Sequence, residues 1–382
     1  MDGAAERVFA APFSHAKPRA GIVCNMKIYV YAIARDEEKF AERWMTSMSE
    51  ADGIYVLDTG SKDGTADKLR SLGAVVVREE FEPFRFDKAR NRSLEFVPEN
   101  ADLCVCTDLD EEFTPGWRDA FERAASSGAN AVKYRYVWNY LPDGKEGYVF
   151  WISKAHARRG FEWRHSVHEV VVPVSGEAKY AMADGVTLMH RPDPHKSRAG
   201  YLPLLELSVR EDPTDDRNAH YLGREYMFHG RYEDAIAALK RHLELPTAVW
   251  RDERAASMRY IASCLSALGR RAEAEEWLMR ACAEAPWLRE PWLDAARQCL
   301  DGGMWHGAAY FAGRALAIER RSLSYINTPE AWGALPYDIL SVALWNLGDR
   351  EGAEEALKTA LEHSPDDERL KQNLQYVSQN ST

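Results

Sequence analysis

The sequence predicts two domains of different class, an α/β domain built on a mostly parallel sheet followed by an all-α domain of helical repeats. Three observations carry this prediction. From Met26 to about residue 200, β-branched and aromatic runs alternate with helix-length stretches, the order of a parallel sheet with helices on both faces. Two of those runs end in acid, Asp58 after residues 53–57 and Asp108 after residues 103–107. From about Tyr201 the pattern changes to helices with alanine and glycine at recurring offsets. A chain of 382 residues is also too long for one ordinary core.

Taken in order, residues 28–33 read as a buried strand and 37–49 as a helix with Phe40, Trp44 and Met48 along one face. A second strand over 53–57 runs into Asp58 in the segment LDTGSKDGTAD. Gly60 and Gly64 give it tight backbone, and Asp63 or Thr65 is placed to cap a helix over 66–72. A strand over 74–78 and a helix over 87–95 follow. The fourth strand, 103–107, leads into Asp108, Leu109, Asp110, Glu111 and Glu112. Carboxylates this crowded raise one another's pKa and resist desolvation, so a cation is expected among them. A divalent Mn or Mg ion takes one or two carboxylates and keeps its other positions for water and substrate phosphates. With a turn at Leu109, Asp108 and Asp110 reach one small volume; the alternative is an ordinary acidic loop. Ligands of open α/β sheets sit beyond the carboxyl ends of the strands, so Asp58 and Asp108 are expected to share a crevice.

A helix over 115–126 leads to an aromatic strand over 131–141, a turn at 142–144, and an antiparallel return over 147–158. An edge hairpin rich in Tyr and Trp suits a sugar or peptide platform, and equally a core. The stretch FEWRHSVHEVVVP then brings His165, His168 and Glu169 together, with Arg164 or Arg191 as an ion-pair partner for Glu169 if its role is structural. His190 follows an apolar strand, and His195, Lys196 and Arg198 form a small basic loop suited to a diphosphate. A solvated loop is the alternative there. No C-x-x-C or H-x-x-x-H spacing makes a zinc site of these histidines.

In the second half, Ala235, Ala274, Ala308 and Ala353 align at spacings of 39, 34 and 45 residues, with Gly230, Gly269 and Gly348 five residues before their alanines. Further small residues fall at Ala281, Ala315 and Ala360, and prolines at Pro286 and Pro365. This is similar to the tetratricopeptide repeat, in which small residues let paired helices approach and glycine ends the first helix. The extra length near 245–252 and 320–336 is expected in loops, and a polar helix over 366–378 caps the array. Trp250, Trp277, Trp287, Trp292, Trp305, Trp332 and Trp345 are expected in its core, with a concave groove as the alternative.

The first half carries a second resemblance. Ala32-Ile33-Ala34-Arg35-Asp36-Glu37, then Val56-Leu57-Asp58-Thr59-Gly60-Ser61-Lys62-Asp63-Gly64-Thr65, then Ala89-Arg90-Asn91, then Asp108-Leu109-Asp110-Glu111 follow one another as in glycosyltransferase family 2, whose fold is the Rossmann-like GT-A type. The resemblance implies an inverting, metal-dependent hexosyltransferase using a nucleotide-sugar donor, a UDP-sugar first among them. Ala34, Arg35, Asp58, Arg90 and Asp108 would bind the donor with Lys196 and Arg198, and Asp110 and His190 would hold Mn or Mg. Glu169 would act as base, with His168 orienting it or meeting the donor phosphate. For Arg90 the alternative is an ordinary ion pair on a helix surface. The two-domain arrangement resembles family members that glycosylate peptides or proteins, which implies such an acceptor held by the repeats. An envelope glycan or lipid acceptor, or a repeat scaffold with a vestigial nucleotide domain, are the alternatives.

The implied organisation is a disordered leader over 1–25 with Met26 as an alternative start, the α/β domain over 26–200 and the repeats over 201–382. A net charge of −11 argues against a nucleic-acid partner. Six cysteines without a C-x-x-C pair fit a reduced cytoplasmic protein rather than a disulfide framework. No apolar run is long enough to span a membrane. Repeat arrays of this kind often pair, so a homodimer is compatible with the sequence.

Overall fold

The structure is a computed structural model that describes residues 26–193 and 200–380. The leader expected over 1–25 therefore lies outside the described residues. Among the described residues the strands are, in order, β1 (Ile28–Ala34), β2 (Gly53–Asp58), β3 (Val75–Arg78), β4 (Leu103–Cys106), β5 (Glu111–Phe113), β6 (Ala131–Val137), β7 (Val149–His156), β8 (Phe161–Arg164), β9 (Val170–Pro173) and β10 (Tyr180–His190). Between them run α1 (Glu38–Ser47), α2 (Thr65–Ser71), α3 (Phe86–Glu95) and α4 (Trp117–Ala125).

Eight of the strands form one sheet in the order β3-β2-β1-β4-β7-β6-β10-β5. The expected mostly parallel sheet is corrected to a mixed one. β3, β2, β1 and β4 run parallel to one another, and so does β10 to β6, but β7 lies antiparallel to both β4 and β6 and β5 antiparallel to β10. The reason is the tight turn after β6, which returns the chain as β7 beside its predecessor and forces the opposite direction. The hairpin is thus in the middle of the sheet, not at an edge. The FEWR and VVVP segments are likewise two strands, β8 and β9, paired only with each other.

β1 lies between β2 and β4, and its side chains alternate between two cores. Val30, Ala32 and Ala34 face Trp44, Val105 and Phe121, while Tyr31 faces Leu94, Cys106 and Trp163. Burial on both faces explains its near-continuous apolar run. Its register sets Ala34 beside Asp58 and Tyr31 beside Cys106, so the chain leaves β2 and β4 at one end of the sheet.

The helices that follow are α5 (Tyr201–Glu211), α6 (Asp216–Phe228), α7 (Tyr232–Glu244), α8 (Arg251–Ala267), α9 (Arg271–Glu284), α10 (Arg289–Asp301), α11 (Trp305–Leu316), α12 (Leu335–Leu347), α13 (Arg350–His363) and α14 (Glu368–Gln379). Ala235, Ala274, Ala308 and Ala353 are fully buried where helices meet, as small residues must be for close helix approach. At Gly348 the backbone is left-handed, φ 86°, which ends α12 and turns the chain into α13. Trp250, Trp277, Trp292, Trp332 and Trp345 pack against the helical cores from their edges, and Trp287 is exposed. Trp277, Trp287, Trp292, Trp332 and Trp345 each keep a part-exposed ring with an arginine over it, while the offset alanines and leucines form the fully buried centres of the cores.

The helical array lies against the sheet. Arg85 Nη1 donates to Glu211 at 2.7 Å, Ser166 Oγ donates to the Leu204 carbonyl at 2.9 Å, and Trp151 N donates to the Leu323 carbonyl at 3.2 Å.

Candidate functional site

Asp58, wholly buried, closes β2. Its Oδ1 accepts the amides of Gly60 at 3.0 Å and Ser61 at 2.9 Å, with Arg78 Nε 4.0 Å away. Gly60 makes this possible, because its φ of 111° folds the loop back over the carboxylate. Oδ2 is buried without a hydrogen-bond partner, a costly arrangement that suits a ligand donor. Ala34 is nearly buried and its carbonyl is taken by Thr59, through N at 2.9 Å and Oγ1 at 3.1 Å, while Arg35 is exposed.

Beyond β4 the chain makes a tight acidic turn. Asp108 N donates to Glu111 Oε2 at 2.9 Å and Glu111 N donates to the Asp108 carbonyl at 3.0 Å. The cations that balance these acids are largely the protein's own. Arg90 Nη2 reaches Asp108 at 2.7 Å, and Lys154 Nζ reaches Asp108 at 3.1 Å and Glu111 at 2.9 Å. Burial opposes the charge on Asp108, but Arg90 and then Lys154 outweigh it and hold the carboxyl well below the usual range. Burial likewise opposes the charge on Lys154, and Asp108 and Glu111 push its pKa up. Tyr136 OH completes Glu111 at 2.7 Å.

Arg90 is only 4% exposed and is no helix-surface pair. Its Nε donates to Glu169 at 2.5 Å, and its guanidinium lies 5.0 Å from the Trp163 ring. Glu169 therefore pairs with Arg90, not with Arg164, which meets Glu162, or Arg191, which meets Glu112. Its loop is held on both sides. Asn91 exchanges two 2.8 Å hydrogen bonds with the Trp163 backbone. His165 Nδ1 lies 2.8 Å from Asp215 in the repeat region, and His168 stacks on Tyr221 at 4.0 Å between ring centres. His165 and His168 both adopt positive φ, 78° and 52°, a conformation that these contacts sustain. His168 points to the repeats and not toward Asp108.

Asp110 and His190 meet through the β5–β10 pairing. His190 Nε2 is 3.3 Å from Asp110 Oδ2, and Nδ1 lies 2.8 Å from the Trp138 carbonyl. That carbonyl only accepts, so Nδ1 carries a proton. Nε2 of a neutral ring would then turn a lone pair on a carboxylate, and a proton or a metal ion is what relieves this. Burial lowers the His190 pKa, but the hydrogen bond and charge of Asp110 outweigh it and raise it overall. The pair fits a divalent ion, with the Trp138 carbonyl fixing the tautomer as an outer partner does. Glu112 meets Arg43 at 2.9 Å and Arg191 at 3.2 Å.

The structure thus brings Asp108, Arg90 and Glu169 into one ion-paired group and Asp110 and His190 into another, with Asp58 at the same end of the sheet. Lys196 and Arg198, with His195, lie outside the described residues. Lys154 belongs to none of the motifs the sequence displays, although a lone lysine within the apolar strand VFWISKAH is the signal that marks it. The five described cysteines are buried free thiols, and no helix among the described residues is long and apolar enough to cross a membrane.

A family model described as tetratricopeptide repeat matches residues 336–367, which span α12 and α13. The C-terminal part is a helical repeat region of this type. Solved structures similar to the chain include MamA, at 20% identity over 44% of this chain and 88% of that one, TM-score 0.36. YrrB, described as a TPR protein with an unusual peptide-binding site, is 16% identical over 47% and 81%, TM-score 0.35. TTC0263, a thermophilic TPR protein in Thermus thermophilus, is 19% identical over 47% and 89%, TM-score 0.34. No curated protein matches the sequence.

Proposed function

We propose that the chain is an inverting glycosyltransferase of the family 2, GT-A type, which moves a sugar from a nucleotide-sugar, a UDP-sugar first among them, to a peptide or protein acceptor. The observation that carries the reading is the convergence of Asp58, Asp108, Asp110 and Glu169 at one end of a sheet whose first four strands in spatial order, β3-β2-β1-β4, are parallel. Asp58 Oδ2, buried and unpartnered, is available to a donor group of the base or ribose. Asp110 and His190 would hold Mn or Mg, which when bound would neutralise the diphosphate. The donor roles of Arg35, Lys196 and Arg198 belong to the same proposal.

In the displacement, the acceptor attacks the anomeric carbon as the bond to the diphosphate breaks, and its proton passes to a base on the opposite face. Arg90 holds Glu169 by Oε1, which leaves Oε2 to accept that proton. Arg90 and Lys154 also keep Asp108 ionised. His168 orients the Glu169 loop from behind, through its stacking on Tyr221. Ala34 and Asp108 contribute shape more than donated bonds, since their polar atoms already have protein partners.

The acceptor class rests on the tetratricopeptide match, because such arrays offer extended surfaces to peptides. A non-catalytic scaffold is the second reading. It is favoured by Asp108 and Glu111 being neutralised by Arg90 and Lys154 without any metal. Release of nucleoside diphosphate from UDP- and GDP-sugars, with Mn, separates the two. The proposal expects turnover on one donor and a loss of about 10²–10⁴-fold in Glu169→Gln, the usual worth of a general base. Equal rates in both proteins would remove Glu169 from the chemistry.

A further inference from the structure

One group of ligating side chains lies far in sequence from the sheet's acids. Asp216, His242 and Glu253 come from three successive helices, α6, α7 and α8, and their donor atoms all lie within 4.8 Å of one another. Acidic groups at a surface often cluster without consequence, but His242 is fully buried and Glu253 is 4% exposed. His242 Nε2 has no hydrogen-bond partner and faces Glu253 Oε1 at 3.5 Å. That is long for a charge-assisted hydrogen bond. It is close to the edge of a tetrahedron, about 3.4 Å, whose donors sit about 2.1 Å from a shared ion.

Both buried ligands also have the outer partners that metal ligands need. His242 Nδ1 lies 2.9 Å from Ser257 Oγ, which lies 2.7 Å from His220 Nδ1. Glu253 Oε2 accepts the hydroxyl of Tyr325. These contacts aim Nε2 and Oε1 at the same point. The neighbouring guanidinium of Arg217 lies over the rings of Tyr221 and Tyr325, at 5.0 and 5.8 Å.

We propose that Asp216, His242 and Glu253 bind one divalent transition-metal ion of the zinc type. One imidazole and two carboxylates suit zinc, whereas calcium and magnesium favour all-oxygen sites. The ion ties the first three paired helices together at the start of α6. Asp215, beside Asp216, holds His165 at 2.8 Å and so anchors the loop that carries Glu169.

The full-length chain, stripped with chelator and dialysed against zinc, is analysed for bound metal alongside Asp216→Asn, His242→Gln and Asp110→Ala. The expected result is one equivalent of zinc lost in Asp216→Asn and in His242→Gln and kept in Asp110→Ala. The cobalt-substituted wild type should show the visible absorption of four-coordinate cobalt, weakened in Asp216→Asn. Should His242→Gln fail to fold, Asp216→Asn decides, because its side chain is part-exposed at a helix start and its fold is checked by circular dichroism. A folded Asp216→Asn that binds zinc as tightly as wild type overturns the site. So does a wild type whose zinc is all removed by Asp110→Ala. The first result leaves the glycosyltransferase reading untouched and the second is compatible with it, because that reading is tested separately by donor turnover.

Discussion

Arg90 sits at 4% exposure with Asp108 on one nitrogen and Glu169 on another, so it is the hinge of two acidic segments 61 residues apart. Removing one partner of a buried pair leaves the other charge uncompensated. Arg90→Ala is therefore expected to cost about 3–5 kcal/mol in urea denaturation, far above an exposed pair. A loss under about 1 kcal/mol would mean that water already reaches these carboxylates. His190 gives a pH signature. Its folded pKa is raised, so its pairing with Asp110 contributes fully below the ordinary value of about 6.5 and is lost as pH rises through the folded value. The stability gap between wild type and His190→Gln, measured without metal, should narrow as pH rises above about 6.5. Mn affinity should move the other way, increasing with pH as Nε2 loses its proton. A gap that widens over this range contradicts the pairing.

The β8–β9 pair is the element on which the candidate site depends most, because its connecting loop carries Glu169 and is fixed from both halves of the chain. Asn91→Ala removes both hydrogen bonds to the Trp163 backbone and leaves buried groups unsatisfied, so it should cost about 1–3 kcal/mol per group. Thermal or urea unfolding of that variant measures it, and an unchanged midpoint would show the loop held elsewhere. Elements like these define what was legible in the sequence. The alternation of apolar runs and helices announced a sheet, and alanines at fixed offsets announced the tetratricopeptide array, since both are local periodicities. The antiparallel return of β7 was legible, but its insertion between β4 and β6 was not, because a hairpin signal says which strands pair and not where the pair is inserted. The partnership of Arg90 with Glu169 spans 79 residues, and no local pattern encodes it. Lys154 was readable in principle, as a charge inside an apolar strand, but its two acceptors lie on another segment.

At the scale of the whole molecule, the repeats are packed on the sheet and not strung from it. The extra length around residue 323 is used there, for Leu323 adopts φ 52° and its carbonyl accepts Trp151 N of β7. Phe150 meets Tyr325 nearby, at 6.3 Å between ring centres. A chain cut at residue 200 would expose Val167, 1% exposed in the whole molecule, and lose the contacts of Ser166, His165 and His168. Such a fragment is expected to melt well below the full chain or to aggregate, read by scanning calorimetry and light scattering. A fragment as stable as the full chain would mean that the interface is loose. The central claim is that the acids at the sheet's end hold a nucleotide-sugar through a metal. The most direct test is the melting temperature of the full chain with UDP- and GDP-sugars, with and without Mn, set against Mn alone and against Asp110→Ala. Donor at a hundred times its dissociation constant should add about 2.7 kcal/mol. The expected result is a rise for one donor that needs Mn and vanishes in Asp110→Ala. No rise with any donor, or an equal rise in Asp110→Ala, would contradict it.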